Sequence, residues 1–204
     1  MSAPEIRHGI GVSPGTAVGP VVQVRPPARP PANEPASADT AGTGQLVRKV
    51  LESVAGTLDD RAARADASAK EILTATAMMA RDPGLAAAAD KHLANGRGPA
   101  TAVDAAAEEY CAVFSAAGGY LAERVTDLRD VRDRAVARIL GLEDPGVPEL
   151  THPCVIVAND LAPAGTVGLR PDLVLAIVTE SGGPTSHTAI LAAQMGIPAV
   201  VQVP

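Results

Sequence analysis

Aromatic side chains are almost missing from this chain. Its 204 residues include one Phe, two Tyr and no Trp. Proteins that bind single-stranded nucleic acid stack bases on such rings, so that platform is excluded. Positive charge is also scarce. Lys and Arg number 17 against 23 Asp and Glu, a formal net charge of −6, which is the wrong sign for a global binder of phosphate backbones. An acidic surface suits a basic protein partner instead. Cysteine is limited to Cys111 and Cys154, too few for a disulfide framework or a zinc site of the usual kind. The pair reads as two buried thiols in a reducing compartment. No run of about twenty apolar residues is long enough to span a membrane. The start, Met1 to Ile10, carries Glu5, Arg7 and His8 where a signal peptide would be apolar. These absences describe a cytoplasmic protein. The four histidines share no metal-ligand spacing, so no metal is expected on this chain, and His8, His92 and His152 read as surface or loop residues.

What is present is enough apolar material for one domain or two small ones: 47% hydrophobic against 20% charged residues. Four zones follow one another. Residues 9–25 hold turn residues and then a β-branched run from Val18 to Val24, a turn and a strand. Residues 26–36 are proline-rich and extended, a linker. Residues 37–142 are Ala-rich with helical periodicity. Leu46, Val47, Val50, Leu51, Val54 and Leu58 form one face of a long helix. A second helix is predicted over about 69–80. Asp82-Pro83 opens a third that ends at Asn95-Gly96, and Gly98-Pro99 opens a fourth that Gly118-Gly119 interrupts. The last carries Leu121, Val125, Leu128, Val131, Ala135 and Ile139 on one face and closes at Gly141. Helices joined by short loops pack antiparallel, as a bundle. The adjacent pairs Glu108-Glu109 and Asp59-Asp60 diverge by about 100° on a helix and read as solvated faces, and Tyr110 and Phe114, four apart, as core. Residues 143–204 return to short apolar runs at 154–158, 173–178 and 197–201, strands of a sheet covered on both sides, with a helix from Thr188 to Met195 between the last two. The strand at 18–24 cannot fold alone. It is expected to join this sheet, which makes the helical zone an insertion into an α/β domain.

The segment that carries chemistry is T-E-S-G-G-P-T-S-H-T-A-I-L-A-A-Q-M-G-I-P, residues 179–198. Gly182-Gly183 permits a tight turn and close approach to a ligand. Thr185 or Ser186 can cap the following helix. His187 then falls in its first turn, where unpaired backbone N–H groups and the helix dipole favour an anion, phosphate above all. A neutral histidine there can attack phosphorus while the helix amides and the two hydroxyls hold the phosphoryl oxygens. The same residues would equally suit a capped helix with an incidental histidine.

Beyond spacing, G-G-P-T-S-H-T-A-I-L-A followed by G-I-P-A-V-V is similar to the phosphohistidine signature of phosphoenolpyruvate-utilising enzymes. The rest of the chain resembles one branch of them, enzyme I of the bacterial sugar phosphotransferase system. The marks are Gly9-Ile10-Gly11-Val12-Ser13-Pro14-Gly15-Thr16-Ala17-Val18-Gly19, Met78-Met79-Ala80-Arg81-Asp82-Pro83, Asp127-Leu128-Arg129-Asp130, Ile139-Leu140-Gly141, and Asn159-Asp160-Leu161-Ala162-Pro163-Ala164-Gly165-Thr166. The resemblance implies an α/β phosphohistidine domain of the swivelling type, residues 1–25 and 148–204, with an inserted all-α helical bundle, residues 37–142, and linkers at 26–36 and 143–147. It implies that His187 is phosphorylated, that Thr166 orients it, and that Gly182, Gly183, Thr185 and Ser186 shape the phosphate pocket. It implies a partner, the histidine phosphocarrier HPr, docking on the bundle through Leu73, Met78, Met79, Asp82, Leu85, Tyr120 and Arg124. Met78 and Leu85 are expected to be exposed anchors beside Asp82.

Some positions depart from the pattern. Pro184 and Ala193 stand where relatives usually carry Arg, Thr74 and Thr76 where they carry Glu and His, and Pro83-Gly84 where acids follow Asp82. The family's C-terminal barrel, which binds phosphoenolpyruvate and Mg2+, has no counterpart here, so the chain reads as a fragment, monomeric, with magnesium belonging to the full-length parent. Two other readings are a swivelling domain from a pyruvate phosphate dikinase or phosphoenolpyruvate synthase, and a non-catalytic docking module. The bundle at 37–142 weighs against the former, and intact His187, Thr166 and Gly182-Gly183 against the latter.

Overall fold

The computed structural model describes residues 5–65, 67–161 and 169–204, and the backbone alone for Ser68 and His187. The chain divides into two units, Pro27–Pro145 and the pair Met1–Pro26 with Gly146–Pro204.

The first unit is helical: α1 (Thr40–Arg64), α2 (Ala67–Ala80), α3 (Pro83–Ala94), α4 (Pro99–Ala117), α5 (Gly119–Glu123) and α6 (Val125–Ile139). Local chemistry sets most of the boundaries. The Asp39 carboxylate accepts from Gly42 N (2.9 Å) and caps α1, and Asp82 accepts from Gly84 N (2.7 Å) to cap α3, with Pro83 in its first turn. Gly141, at φ +70°, ends α6 with bonds from Gly141 N to Arg138 O (3.1 Å) and from Leu142 N to Ala137 O (2.8 Å). One break is not marked in the sequence. The final helix, expected to be continuous from Leu121, divides at Arg124, whose φ of −80° and ψ of −7° stay near-helical.

The bundle core holds Val47, Leu51, Val54, Leu58, Leu93, Val103, Val131 and Val136 with many alanines, among them the fully buried Ala55, Ala77, Ala100, Ala106 and Ala135. Alanine lets helix axes approach closely, at the expense of apolar area per residue. Leu46 and Leu121, expected on core faces, remain 48% and 40% exposed.

Charge in the bundle is more organised than solvated faces would require. Arg132 and Arg134 of α6 are buried. Arg132 pairs with Asp133 (2.7 Å) and with Glu108 of α4, and Arg134 with Asp130 (2.7 Å) and Asp144 (3.2 Å). Arg81 bridges to Glu52 (2.9 Å) and Asp59 (2.8 Å) on α1. Glu108, Glu109 and Asp60 are exposed and Asp59 is half-buried, so the two acidic pairs do lie on solvated faces, and Glu108 and Asp59 in addition pair with Arg132 and Arg81. His92 departs from expectation. It is 7% exposed within α3, its Nε2 2.9 Å from the Glu109 carboxylate but not aligned for a hydrogen bond. Tyr110 and Phe114 are half-buried and meet edge to face at 6.4 Å.

The proline-rich zone has a structural task in this unit. Glu34 accepts from Ala100 N (3.0 Å) and Thr101 N (2.7 Å), the first free amides of α4, whose N-cap Gly98 has no side chain to offer. Replacing Glu34 by Ala is expected to cost about 1 kcal/mol, the usual worth of a helix cap. Urea unfolding of the two proteins would measure it.

The second unit is built on one sheet: β1 (Ile10–Ser13), β2 (Val21–Gln23), β3 (Cys154–Ala158), β4 (Val174–Thr179) and β5 (Ala199–Val201), in the order β1-β5-β4-β3-β2. β2 to β5 run parallel, and β1 pairs antiparallel with β5 through Ile10↔Val201 and Gly11↔Val200. The early strand thus joins the C-terminal sheet. It is shorter than the expected Val18 to Val24 run because Gly19-Pro20 delays it, Pro20 offering only its carbonyl, to Val155 N (2.8 Å). β1 arises in residues read as turn. Gly11, and Gly9 just before it, weaken the local strand signal, and its pairing with β5 lies far away in sequence.

Helix α7 (His187–Met195) packs on one face of this sheet. Ala192 shares a core with Ile156, Ala158, Leu161, Val174, Ile177, Ile197 and Ala199. On the opposite face Val155, Val157, Ala176 and Val178 are only half-buried, so the strands are not covered equally on both sides as their apolar runs suggested. Cys111 and Cys154 are both free and buried, and burial pushes each thiol above its ordinary value.

Candidate functional site

The segment after β4 folds from local chemistry. Thr179, fully buried at the strand end, donates its hydroxyl to Ser181 O (2.7 Å). Ser181 donates its N–H (2.8 Å) and its Oγ (2.7 Å) to Asn159 O, tying the turn to the end of β3. Gly182 takes φ +92°, which favours glycine, and a Cβ there would sit tightly against Ser186 Oγ at 3.3 Å. Gly183 is under neither constraint: a Cβ there would meet nothing within 4 Å, so the space beside the turn is open. A bond from Ser186 N to Gly183 O (2.9 Å) then closes the turn around Pro184 and Thr185, both exposed.

Of the two candidate caps, Ser186 is the one used. Its Oγ accepts from Ala189 N (3.3 Å) and its φ and ψ of −65° and 160° are those of an N-cap. His187 is the first residue of α7. The histidine backbone therefore lies where helix N–H groups have no carbonyl one turn earlier, and where the dipole is positive. Its side chain, like the whole of Thr166, lies outside the described residues.

Residues with no assigned role in the sequence reading hold this arrangement. Fully buried Thr188 donates to Asp160 Oδ1 (3.3 Å), which also accepts from Leu161 N (2.8 Å), so the start of α7 is tied to the end of β3. Asn159 Nδ2 donates to Glu180 (3.0 Å). Gln202 donates Nε2 to Gly182 O (2.9 Å). The threonine next to His187 and the Asn159-Asp160 pair stood within quoted motifs, but nothing in the local pattern marks Gln202. No Lys or Arg follows Arg170, so the positive potential this segment can supply itself is that of backbone amides and the helix dipole. Among the described residues no three His, Cys, Asp or Glu converge on a point that could hold a metal ion. The described residues offer no ligand set for magnesium.

In the helical unit the predicted docking residues separate. Met78 is 68% and Tyr120 63% exposed, Asp82 is exposed and Met79 half-buried. Arg124 lies 4.6 Å from the Tyr120 ring centre and pairs with Asp127 (2.9 Å). Leu73 and Leu85 are only 5% and 2% exposed. Their side chains belong to the bundle core, and the expectation that Leu85 is an exposed anchor is corrected: it follows the Asp82-Pro83 cap by one short step and is turned inward by α3. Thr76 is likewise buried, donating to Ile72 O (2.9 Å).

A helical unit inserted along the chain between two strands of a mixed sheet, with a Gly-Gly turn feeding a capped helix, defines a recognisable class. The chain belongs to the PEP-utilising enzymes: the family model described as PEP-utilising enzyme, N-terminal, matches residues 8–124, and the one described as PEP-utilising enzyme, mobile domain, matches residues 150–204. More particularly, it is similar to the phosphoenolpyruvate-protein phosphotransferase of Streptomyces coelicolor, 47% identical over 97% of this chain and 36% of that protein. The protein of the same name from Haloferax volcanii is 34% identical over 96% of this chain and 35% of its own length. The chain thus spans about a third of the length of these relatives. Among solved structures, the NMR structure of Enzyme I (nEIt) superposes with a TM-score of 0.77 at 27% identity, covering 97% of this chain and 83% of that one. The N-terminal domain of Enzyme 1 - Nitrogen shares the fold at a TM-score of 0.61 and 22% identity, over 97% and 84% of the two chains. No helix among the described residues is long and apolar enough to cross a membrane.

Proposed function

We propose that this chain is the phosphoryl-exchanging N-terminal part of a phosphoenolpyruvate-protein phosphotransferase, passing a phosphoryl group between His187 and the carrier HPr in the first steps of sugar uptake. The observation that carries it is the position of His187 as first residue of α7, directly after the Ser186 cap and the Gly182-Gly183 turn. Names of the relatives support it: both similar proteins cited above are phosphoenolpyruvate-protein phosphotransferases, and the structure matched at 27% identity is Enzyme I. That agreement favours it over a dikinase or synthase swivelling domain.

In this reading the imidazole attacks phosphorus, the bond to the donor nitrogen breaks as the bond to His187 forms, and the transferring oxygens are held by the amides at the start of α7. Thr185 and Ser186 line the pocket, and Thr166 orients the ring. Residues 1–25 and 148–204 form the phosphohistidine domain, residues 37–142 the HPr-docking domain, and residues 26–36 and 143–147 the linkers. The phosphoenolpyruvate barrel and Mg2+ belong to the remainder of the parent. A cytoplasmic monomer fits two free, buried cysteines.

Docking falls to the members of the predicted set outside the bundle core: exposed Met78, Asp82 and Tyr120, with half-buried Met79 and Arg124 beside them. An exposed methionine adapts to a partner's shape, and the net charge of −6 complements a basic carrier face. Met78→Ala should weaken HPr binding by more than about 1 kcal/mol, as for an interface anchor. Leu85→Ala should act on stability instead, by about 2–5 kcal/mol. Calorimetric titration and thermal unfolding of the two variants separate these effects. The function itself is tested by mixing the chain with phospho-HPr: transfer should yield an acid-labile, base-stable phosphoprotein, and an acid-stable label or none would refute it.

A further inference from the structure

Gln202 stands out on backbone grounds. Among the described residues it is the one non-glycine with positive φ, at +58°, a conformation that L side chains rarely adopt. Regular pairing holds it from both sides. It follows β5, whose Val201 pairs with Ile10, and Val203 N next to it donates to Thr179 O (3.0 Å) at the end of β4. Between these anchors Gln202 takes its left-handed conformation, and its side chain donates to Gly182 O (2.9 Å).

Gly182 is where that bond matters. The turn is anchored upstream at Ser181, by Asn159 and Thr179, and closed downstream upon itself, by Ser186 N to Gly183 O. Gly182 lies between the two, at φ +92° with no side chain to restrain it. Strained residues that persist beside a functional segment point to a role for the group they present.

We propose that Gln202 is a positioning residue for phosphoryl transfer: its carboxamide, by holding the Gly182 carbonyl, fixes the turn that sets the first amides of α7 around the incoming phosphoryl group. This rests on the reading of His187 as the acceptor. The bond restrains the backbone on which the receiving amides are mounted, and transfer rates fall steeply with small misplacements of such groups.

Gln202→Gly is the informative variant. Glycine accepts φ +58° freely, so the backbone is kept while the carboxamide is deleted. Gln202→Met, of similar size but without a donor, is the companion. In the 204-residue chain both should lower the maximal rate of transfer from phospho-HPr about tenfold, with the carrier concentration at half-maximal rate unchanged. Gln202→Gly should unfold at the same temperature or higher. Amide hydrogen exchange over residues 183–188 should quicken in both. Transfer at the unaltered rate in both variants, or a slowing that tracks lost thermal stability, overturns the proposal. A chain that takes no phosphate from phospho-HPr overturns the acceptor reading instead, and with it the role in transfer. Exchange that stays unchanged in both variants overturns the restraint on the turn whatever the transfer result.

Discussion

Replacing His187 by Ala is expected to lower phosphate incorporation from phospho-HPr by roughly a thousandfold or more, the order seen when a nucleophile is removed. Other histidines offer no substitute: His92 is buried in the helical unit, and His8 and His152 are exposed without a capped helix start around them. The fold should be indifferent to the change. Position 187 is the first residue of α7, alanine is the best helix former, and the bond from Ala189 N to Ser186 Oγ involves neither partner of the substitution. Circular dichroism and melting temperature of the variant should match those of the unaltered chain. Labelling left undiminished in a folded Ala variant would mean that another residue accepts the phosphoryl group.

A large loss of stability is expected in the other unit. The Arg134 side chain is 5% exposed and grips Asp130 with two bonds (2.7 and 3.1 Å) and Asp144 with a third (3.2 Å). Arg138 shares Asp144 (2.6 Å) and also reaches Ser53 (2.7 Å) and Thr57 (2.9 Å) on α1. Burial pushes the Asp144 carboxyl up, but the two guanidinium partners outweigh it and hold the group below the usual aspartate range. Arg134→Ala therefore leaves the Asp130 and Asp144 carboxylates without their buried partner. Such a loss costs about 3–5 kcal/mol, and because Asp130 and Asp144 keep some contact with water the lower figure, about 3 kcal/mol, is expected. Thermal unfolding should show a fall of about 6–12 °C. A shift within about 2 °C would show that the network carries no net stability.

How far the sequence discloses this molecule can be judged element by element. The helices are legible because their signals are local: Asp82-Pro83, Asn95-Gly96, Gly98-Pro99 and Gly118-Gly119 each stand at an observed boundary. The parallel strands are legible from their apolar runs, and β2 from the argument that a lone strand needs a sheet. β1 is not, since Gly9 and Gly11 hide a strand whose partner lies about 190 residues away. Buried arginines in α6 also escape periodicity, which counts apolar positions and cannot foresee that carboxylates will make a charged residue fit for burial. In the candidate site, the turn and cap at 182–186 are readable as a string of residue types. The side chains that secure them, Asp160, Thr188 and Gln202, act across strands, and spacing along the chain does not reveal such contacts. Leu85 shows the converse: a residue in a quoted docking motif whose side chain the helix phase turns into the core.

One comparison of donors tests the central claim most directly. The 204-residue chain is incubated in parallel with phospho-HPr and with phosphoenolpyruvate plus magnesium, and the phosphoryl group is located by phosphorus NMR and peptide mapping. A docking face and an acceptor histidine are the parts proposed for this chain, and phosphoenolpyruvate binding is proposed for the remainder of the parent. The expected result is a single phosphohistidine at position 187 from phospho-HPr and none from phosphoenolpyruvate. Phosphate found at any other residue, or labelling by phosphoenolpyruvate alone, would contradict it.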